Sequence, residues 1–168
     1  MAAPEKSAVR IVPVQDDGAL AAVRELFEEY WKSFGFTPCF QKFGEELAGL
    51  PGAYAPPAGR LALASVAETP AGCIALRRID ARRAEPKRLY VRPAFRGHGL
   101  GRALLEWVMQ EARAAGYTEL MGDTMPVMRE ALALYDRVGF ERAGAGAPVH
   151  ATSLAQISEE PILIRIKL

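Results

Sequence analysis

The sequence predicts one α/β (α+β) domain over residues 1–168, with about six to seven strands and about four helices. Short apolar runs of strand length alternate with longer segments whose apolar residues recur at helical spacing. Hydrophobic residues make up 50% of the chain and charged residues 24%, which is the balance of a single globular core. A glycine-rich turn also joins one predicted strand directly to a predicted helix.

The N-terminal half is predicted to form three strands and two helices. The strands are predicted at residues 9–14, 60–67 and 72–79. The helices are predicted at residues 20–34 and 40–50. Asp16 and Asp17 offer a cap for the first helix, and Gly35 ends it. Residues 68–71 separate the second and third strands, so we expect an antiparallel hairpin there.

The C-terminal half is predicted to alternate strands with helices. The strands are predicted at residues 87–91, 119–124, 140–143 and 162–168. The helices are predicted at residues 100–115 and 128–138. Gly116 ends the first of these helices and Gly139 ends the second. Residues 144–158 form a small and polar connection to the last strand.

Charge and composition exclude several classes of partner. The formal net charge is +1 and the pI is about 7.8, so the whole chain attracts neither nucleic acid nor an anionic membrane. Residues 1–7 lack the apolar region of a signal peptide, and no apolar run approaches the ~20 residues that span a bilayer. Cys39 and Cys73 have no disulfide or metal spacing. We therefore expect a cytoplasmic protein that binds neither membrane nor nucleic acid.

The glycine turn concentrates the positive charge of the chain. Nine basic residues lie between Arg77 and Arg102, against two acidic ones, Asp80 and Glu85. Glycines at 97, 99 and 101 allow an anion to approach the backbone, and the helix that follows attracts phosphate at its N-terminus. A tight turn with a solvated basic face is the alternative, but Arg96 and Arg102 flank the turn itself and favour phosphate binding. The spacing matches neither the P-loop nor the dinucleotide fingerprint.

Two ordered motifs resemble the GNAT acyltransferases. Residues 89–93, LYVRP, followed by residues 96–101, RGHGLG, are similar to the R/Q-x-x-G-x-G/A signature that binds acyl-CoA. Residues 131–140, ALALYDRVGF, are similar to the A-x-x-L-Y-x-x-x-G-F segment of the same family. The resemblance covers the element order from Val9 to Phe140. It implies a mixed, largely antiparallel central sheet and acetyl transfer from acetyl-CoA to an amine.

The resemblance also implies which residues hold acetyl-CoA, the co-substrate. Backbone amides of the turn would bind the pyrophosphate, and the preceding strand would bind the pantetheine and the thioester. His98 is expected to be an exposed turn residue and not a catalytic imidazole. The predicted cofactor-binding residues are Leu89, Tyr90, Val91, Arg96, Gly97, His98, Gly99, Leu100, Gly101 and Arg102.

Two side chains are candidates for proton transfer. Tyr135 matches the family tyrosine that can protonate the departing thiolate, although an amphipathic helix also places tyrosines in the core. Glu85 matches the position where some members keep a carboxylate base, and ordered water is the alternative. Simple alternation places Glu85 on the same face as Lys87 and Leu89. The oxyanion donor is expected to be a main-chain N–H near Leu89.

The acceptor end is less well defined by the sequence. The aromatic residues Tyr30, Trp31, Phe34, Phe36 and Phe40 fall where family members shape the acceptor pocket, and core packing is the alternative reading. If these rings line the pocket, the acceptor carries an apolar or aromatic part, and Glu28 or Glu29 attracts its ammonium. Many members have Asn where this chain has Met128, so that contact to the cofactor is absent or replaced. His150 has no spaced partner, and no metal site is predicted.

Several alternatives remain open at this stage. A non-catalytic acyl-CoA-binding sensor on the same fold would keep the glycine turn and lose the acceptor chemistry. A nucleic-acid binder is disfavoured, because the glycine turn interrupts the basic stretch. The donor could be a longer acyl-CoA, and the acceptor could be a small amine, an amino acid, an antibiotic or a protein N-terminus. The final strand and the exposed sheet edge typical of the fold favour a homodimer.

Overall fold

The computed structural model describes residues 8–35, 42–143 and 161–168. Cys39, Phe36, Phe40, His150 and the predicted connection 144–158 lie outside the described residues. The helices are α1 (Asp17–Ser33), α2 (Phe43–Ala48), α3 (Leu100–Ala114) and α4 (Arg129–Val138). The strands are β1 (Val9–Pro13), β2 (Arg60–Val66), β3 (Thr69–Arg78), β4 (Arg83–Val91), β5 (Glu119–Thr124), β6 (Glu141–Ala143) and β7 (Ile162–Lys167).

All seven strands belong to one sheet with the order β1-β2-β3-β4-β5-β7-β6. Every neighbouring pair is antiparallel except β4 and β5, which run parallel. The α/β fold class, with a mixed and largely antiparallel sheet and four helices, is therefore confirmed. The connection from β4 to β5 passes through α3, as a parallel pair requires.

Three predicted boundaries were wrong by a few residues. Strand β4 begins at Arg83 and not at Lys87, because its first residues pair with β3 on one side and with β5 on the other. The hairpin turn lies at Ala67 and Glu68, both in the left-handed region, so β3 already begins at Thr69. Helix α2 is shorter than predicted: its N-cap residue, Lys42, makes no side-chain hydrogen bond to it, and Arg24 donates to the carbonyl oxygen of Leu47 in its last turn.

The sheet buries a separate apolar cluster on each face. One cluster packs α3 and α4 against residues such as Ile74 and Leu76 of β3. The other packs α1 and α2 against Cys73 and Ala75, which alternate with them along the same strand. The strands in the middle of the sheet are thus apolar on both faces, so a polar side chain on one of them is an exception to the pattern.

Strands β4 and β5 separate soon after they meet. Their ladder contains the pairs Arg83 with Glu119 and Ala84 with Leu120, and no later pair occurs among the described residues. Beyond Ala84, the described part of β5 no longer pairs with β4, while the other edge of β4 continues along β3. This separation opens the sheet at its centre and creates the space in which the candidate site lies.

Candidate active site

A cavity of about 960 Å³ occupies the gap between β4 and β5. Its floor is the C-terminal half of β4, and α1, α4 and the end of β5 provide its walls. The turn that precedes α3 lines the same cavity. Of the predicted cofactor-binding residues, it is lined by Leu89, Tyr90, Val91, Arg96, Gly97, Gly99, Leu100, Gly101 and Arg102. Exposed His98 is not among the lining residues.

The glycine turn has the geometry of an anion cradle. Gly97 and Gly99 both adopt φ of +81°, and a Cβ atom on either would meet no atom within 4 Å. Gly99 precedes the first residue of α3, and no side chain caps the helix there. The first N–H groups of α3 therefore have no intrahelical acceptor and no side-chain acceptor in the described part of the chain, and they carry the positive end of the helix dipole. A pyrophosphate fits the chemistry of this turn.

The two arginines that flank the turn are partly engaged. Arg96 donates from Nε to the carbonyl oxygen of Val91 at 2.8 Å and lies 3.5 Å from Glu130 through Nη1. Arg102 donates to Glu106 at 2.7 Å. Both ion pairs are at the surface, where such pairs contribute little to stability. The guanidinium groups thus remain available to an anion of higher charge.

A β-bulge interrupts β4 in the middle of the cavity floor. Lys87 is paired with Ala75 of β3, but Tyr90 is paired with Cys73, so β4 carries one extra residue between them. Arg88 absorbs this residue with φ of +57°. Because of the bulge, Leu89 does not share a face with Glu85 and Lys87, as simple alternation had predicted. Leu89 packs with the apolar cluster that contains α3 and α4, whereas Glu85 and Lys87 contact each other.

Arg88 is a buried residue that the sequence did not single out. Its guanidinium donates from Nε to Glu46 of α2 at 2.9 Å and lies 5.0 Å from the centre of the Trp31 ring. Glu46 also accepts a hydrogen bond from the hydroxyl of Tyr54. A buried charge needs such partners. The signal in the sequence was a basic residue directly before the strand residues Leu89 to Val91, but nothing local indicated that Glu46 would meet it.

Tyr135, the predicted general acid, lines the cavity from α4. Its side chain is buried, and its ring packs edge-on against Phe140 at 5.1 Å between centroids. Burial raises the pKa of Tyr135, with smaller contributions from Tyr30 and Glu85. The phenol therefore stays protonated at neutral pH and presents a proton to the cavity.

Glu85, the predicted base, lies outside the cavity lining. It is 1% exposed, accepts a hydrogen bond from Nε of Arg77 at 2.8 Å and lies 3.8 Å from Nζ of Lys87. Lys87 does line the cavity. Burial lowers the pKa of Lys87 to about 8, although the neighbouring Glu85 opposes that shift. Lys87 thus lies between the buried Glu85 carboxylate and the cavity and contacts both.

Asp123 of β5 is a second residue that the sequence did not single out. It lines the cavity, and its Oδ2 atom is buried without a hydrogen-bond donor among the described residues. Burial raises the pKa of Asp123, and the charge of Glu85 adds to this effect. An acidic residue inside a predicted buried strand was the available signal.

The cavity wall opposite β4 is apolar and aromatic. Tyr30, Trp31 and Phe34 of α1 line it, and Tyr30 and Trp31 also belong to the buried cluster on that face of the sheet. Met128 fills the position where the resemblance predicts Asn. Its sulfur accepts hydrogen bonds from the hydroxyl of Tyr30 at 3.9 Å and of Thr124 at 3.4 Å, joining α1 to the end of β5.

The two carboxylates of α1 that were candidates for attracting an ammonium are already paired. Glu29 accepts a hydrogen bond from Nη2 of Arg92 at 2.7 Å and another from the hydroxyl of Tyr90. Glu28 lies 3.9 Å from Nζ of Lys32 on the exposed side of the helix. Neither residue is among those that line the cavity.

Neither a metal-ligand cluster nor a membrane-spanning helix occurs within the described ranges. Residues 8–35, 42–143 and 161–168 contain no group of three or more His, Cys, Asp or Glu side chains that could hold a metal ion. In the same ranges, no helix has the length and apolar character needed to span a bilayer.

Comparisons with known proteins agree with the motifs and the fold. The sequence model of the Acetyltransferase (GNAT) family matches residues 20–140. An uncharacterized N-acetyltransferase of Schizosaccharomyces pombe is 34% identical over 137 residues, which are 80% of this chain and 81% of that protein. The IAA acetyltransferase of Azospirillum brasilense is 38% identical over 78 residues, or 46% of this chain and 51% of that protein.

A solved structure shares the fold over nearly the whole chain. The PaiA N-acetyltransferase of Thermoplasma acidophilum, in complex with coenzyme A, has a TM-score of 0.72 and 17% sequence identity. The similarity covers 96% of this chain and 99% of that one. The family match spans well over half of the sequence and includes both motifs, so the predicted resemblance is confirmed and the chain belongs to the GNAT acetyltransferase family.

Proposed function

We propose that the protein transfers an acetyl group from acetyl-CoA to a primary amine, by direct attack of the amine in a ternary complex. The observation that carries this proposal is the continuity of one cavity. The cavity joins the glycine turn at one end to Tyr135, the bulge in β4 and the aromatic wall at the other. A phosphate cradle and an acceptor site thus open into the same space.

Acetyl-CoA suits the donor end of this cavity. Its pyrophosphate would be held by the backbone amides from Gly97 to Arg102, with Arg96 and Arg102 as counter-charge. Residues Leu89 to Val91 of β4, which lie past the described ladder with β5, would offer main-chain groups to the pantetheine. Coenzyme A bound to the Thermoplasma acidophilum enzyme supports the same ligand class for this chain.

The transfer itself needs a donor for the oxyanion and a proton for the thiolate. The bulge shifts the register of β4 against β3 next to Leu89, so a main-chain N–H near Leu89 is the candidate oxyanion donor. The neutral amine nitrogen attacks the thioester carbonyl carbon and gives up its proton to ordered water in the cavity. The C–S bond breaks, the departing thiolate takes a proton from Tyr135, and the same water returns a proton to the tyrosine. Glu85 does not line the cavity itself and acts as a positioning residue for Lys87, which does.

The first test is a calorimetric titration of the purified chain with acetyl-CoA and with CoA, using wild type and Tyr135→Phe. We expect micromolar binding to both proteins, because Tyr135→Phe removes one hydroxyl and leaves the glycine turn intact. A screen of primary amines for thiol release should then show turnover by wild type, reduced about 100-fold or more in Tyr135→Phe. Initial-rate lines that intersect, and do not run parallel, are expected for a ternary complex.

Each outcome has a distinct meaning. Absence of binding to either ligand would overturn the proposed function. Binding without turnover of any amine would leave a non-catalytic acyl-CoA sensor. Faster turnover with a longer acyl-CoA than with acetyl-CoA would keep the acyltransfer and change the donor.

A further inference from the structure

The Asp123 carboxylate is unusual among the charged groups of the cavity. Its Oδ2 atom is buried and has no donor within residues 8–35, 42–143 and 161–168, although the residue lines a cavity large enough for a ligand. The terminal torsion of an aspartate is broad and two-fold, so a small rotation turns either oxygen towards the cavity. A buried carboxylate without donors is costly, and a ligand that supplies N–H donors would relieve that cost.

The other charges at this end of the cavity are already compensated. Glu85 is held by Arg77 at 2.8 Å and lies 3.8 Å from Lys87. Arg88 is held by Glu46 at 2.9 Å. No cation of the described residues lies within ion-pair distance of Asp123. Asp123 is therefore the carboxylate at this end with capacity for a positively charged ligand.

The other acidic residue that lines the cavity occupies a different environment. The side chain of Glu130 is 83% exposed, and it lies 3.5 Å from Arg96 at the donor end. Water solvates its charge there, so it gains little from an ammonium. The acceptor end and the donor end thus differ in the kind of ligand charge that they favour.

The cavity wall beside the end of β5 is apolar and aromatic, while the charges that act on Asp123 itself are those of Glu85, Lys87 and Arg77. The neighbouring residue Thr124 and Tyr30 of α1 both donate to the sulfur of Met128, which brings the end of β5 to the aromatic wall. The ring of Phe34 packs edge-on against that of Tyr30, with 5.3 Å between centroids. Rings of this kind favour an apolar or aromatic ligand body.

Resting on the proposed function, we propose that the Asp123 carboxylate binds the ammonium of the acceptor, and that the acceptor is a small primary amine carrying an aromatic ring. The carboxylate satisfies the polar end of such a molecule, and the wall formed by Tyr30, Phe34 and Met128 covers its ring. An amine without the ring loses the apolar contact, and a ring without the ammonium leaves Asp123 unsatisfied.

The test is a calorimetric titration of the full chain saturated with CoA, using three probes. They are 2-phenylethylamine, 2-phenylethanol and ethylamine. The amine with the ring should bind at least about 10-fold more tightly than either of the other two, because each of these lacks one of the two contacts. Asp123→Asn should lower the affinity for 2-phenylethylamine by about 10-fold or more and leave the affinity for 2-phenylethanol unchanged.

A matched variant separates the carboxylate from a general loss of charge. Glu119→Gln removes a carboxylate from the other end of the same strand, outside the cavity lining, and should change no affinity by more than about 2-fold. The CoA affinity of Asp123→Asn should equal that of wild type, which shows that the variant is folded. An equal affinity of wild type and Asp123→Asn for 2-phenylethylamine would overturn the inference, as would equal affinities for the three probes or no binding of 2-phenylethylamine. Failure to bind CoA would instead overturn the proposed function.

Discussion

Nε of Arg88 lies 2.9 Å from Oε2 of Glu46, and this contact ties the bulge in β4 to helix α2. The Arg88 side chain is 5% exposed and that of Glu46 is 19% exposed, so little solvent competes for the pair. Arg88 also has a left-handed backbone conformation that is unfavourable for any residue with a Cβ atom. The side-chain contacts therefore stabilise a backbone conformation that the residue would otherwise avoid.

This relationship predicts that the glycine variant at position 88 is more stable than the alanine variant, the reverse of the order at an ordinary strand position. Arg88→Ala and Arg88→Gly both leave Glu46 without its cation, and each should lower the free energy of unfolding by about 3 kcal/mol or more. Arg88→Gly should nevertheless be more stable than Arg88→Ala by about 1 kcal/mol, because glycine tolerates a φ of +57°. Urea denaturation measures both differences.

An ordinary strand position gives the control. Arg165 of β7 is exposed and is not among the residues with positive φ. There the glycine variant should be the less stable one, by about 0.5–1 kcal/mol. If alanine and glycine rank the same way at both positions, the backbone strain at Arg88 is not real.

A second prediction concerns the glycine turn. Gly99→Ala places a Cβ in the open space that a pyrophosphate would approach and also strains a φ of +81°. We expect acetyl-CoA affinity to fall by about 10-fold or more and stability to fall by about 1 kcal/mol. Calorimetry measures the first quantity and urea denaturation the second.

Gly116 provides a matched control at the opposite end of α3. It has φ of +91°, and an added Cβ would also meet no atom within 4 Å. Gly116→Ala should therefore lose similar stability and keep the affinity of wild type for acetyl-CoA. Equal losses of affinity in both variants would mean that the effect comes from the fold and not from the turn.

The comparison of sequence and structure separates local from long-range information. The seven strands, the four helices and the glycine turn could be predicted because hydrophobic period and glycine position are local signals. The bulge at Arg88 could not, since it depends on the register between β3 and β4. The buried state of Asp123 could not either, because it follows from the separation of β4 from β5, which no short pattern encodes.

A third prediction concerns the pH dependence of Asp123. Burial raises the pKa of Asp123 above 3.8, so the folded chain holds this proton more tightly than the unfolded chain does. The stability contributed by the protonated form is present below pH 3.8 and is lost as pH rises through the folded pKa. Asp123→Asn cannot ionise, so it should gain stability relative to wild type as pH rises from about 3.5 to 7. A flat difference in unfolding free energy over that range would contradict the prediction.

The fourth prediction concerns Lys87, whose pKa is lowered from 10.5 to about 8. Burial is the main cause, and Glu85 opposes it. Between pH 8 and 10.5 the unfolded chain binds more protons at this residue than the folded chain, so wild-type stability rises with pH across that interval. Lys87→Met fills a similar volume without a charge. The stability of this variant relative to wild type should be constant from about pH 6 to 8 and then fall, by at most about 3 kcal/mol, as pH approaches 10.5.

Lys32→Met is the comparison for Lys87→Met, because the Lys32 side chain is 80% exposed. Its difference from wild type should show little change over the same range of pH. If the two variants behave alike in urea denaturation at pH 7 and pH 10, Lys87 is solvated in the folded chain. In that case Lys87 could not connect Glu85 to the cavity as a desolvated group, and the positioning role inferred for Glu85 would fall with it. If only Lys87→Met loses stability relative to wild type as pH rises, the Lys87 amine is desolvated in the folded chain. It then lies at the acceptor end of the cavity, near the Asp123 carboxylate that we propose binds the substrate ammonium.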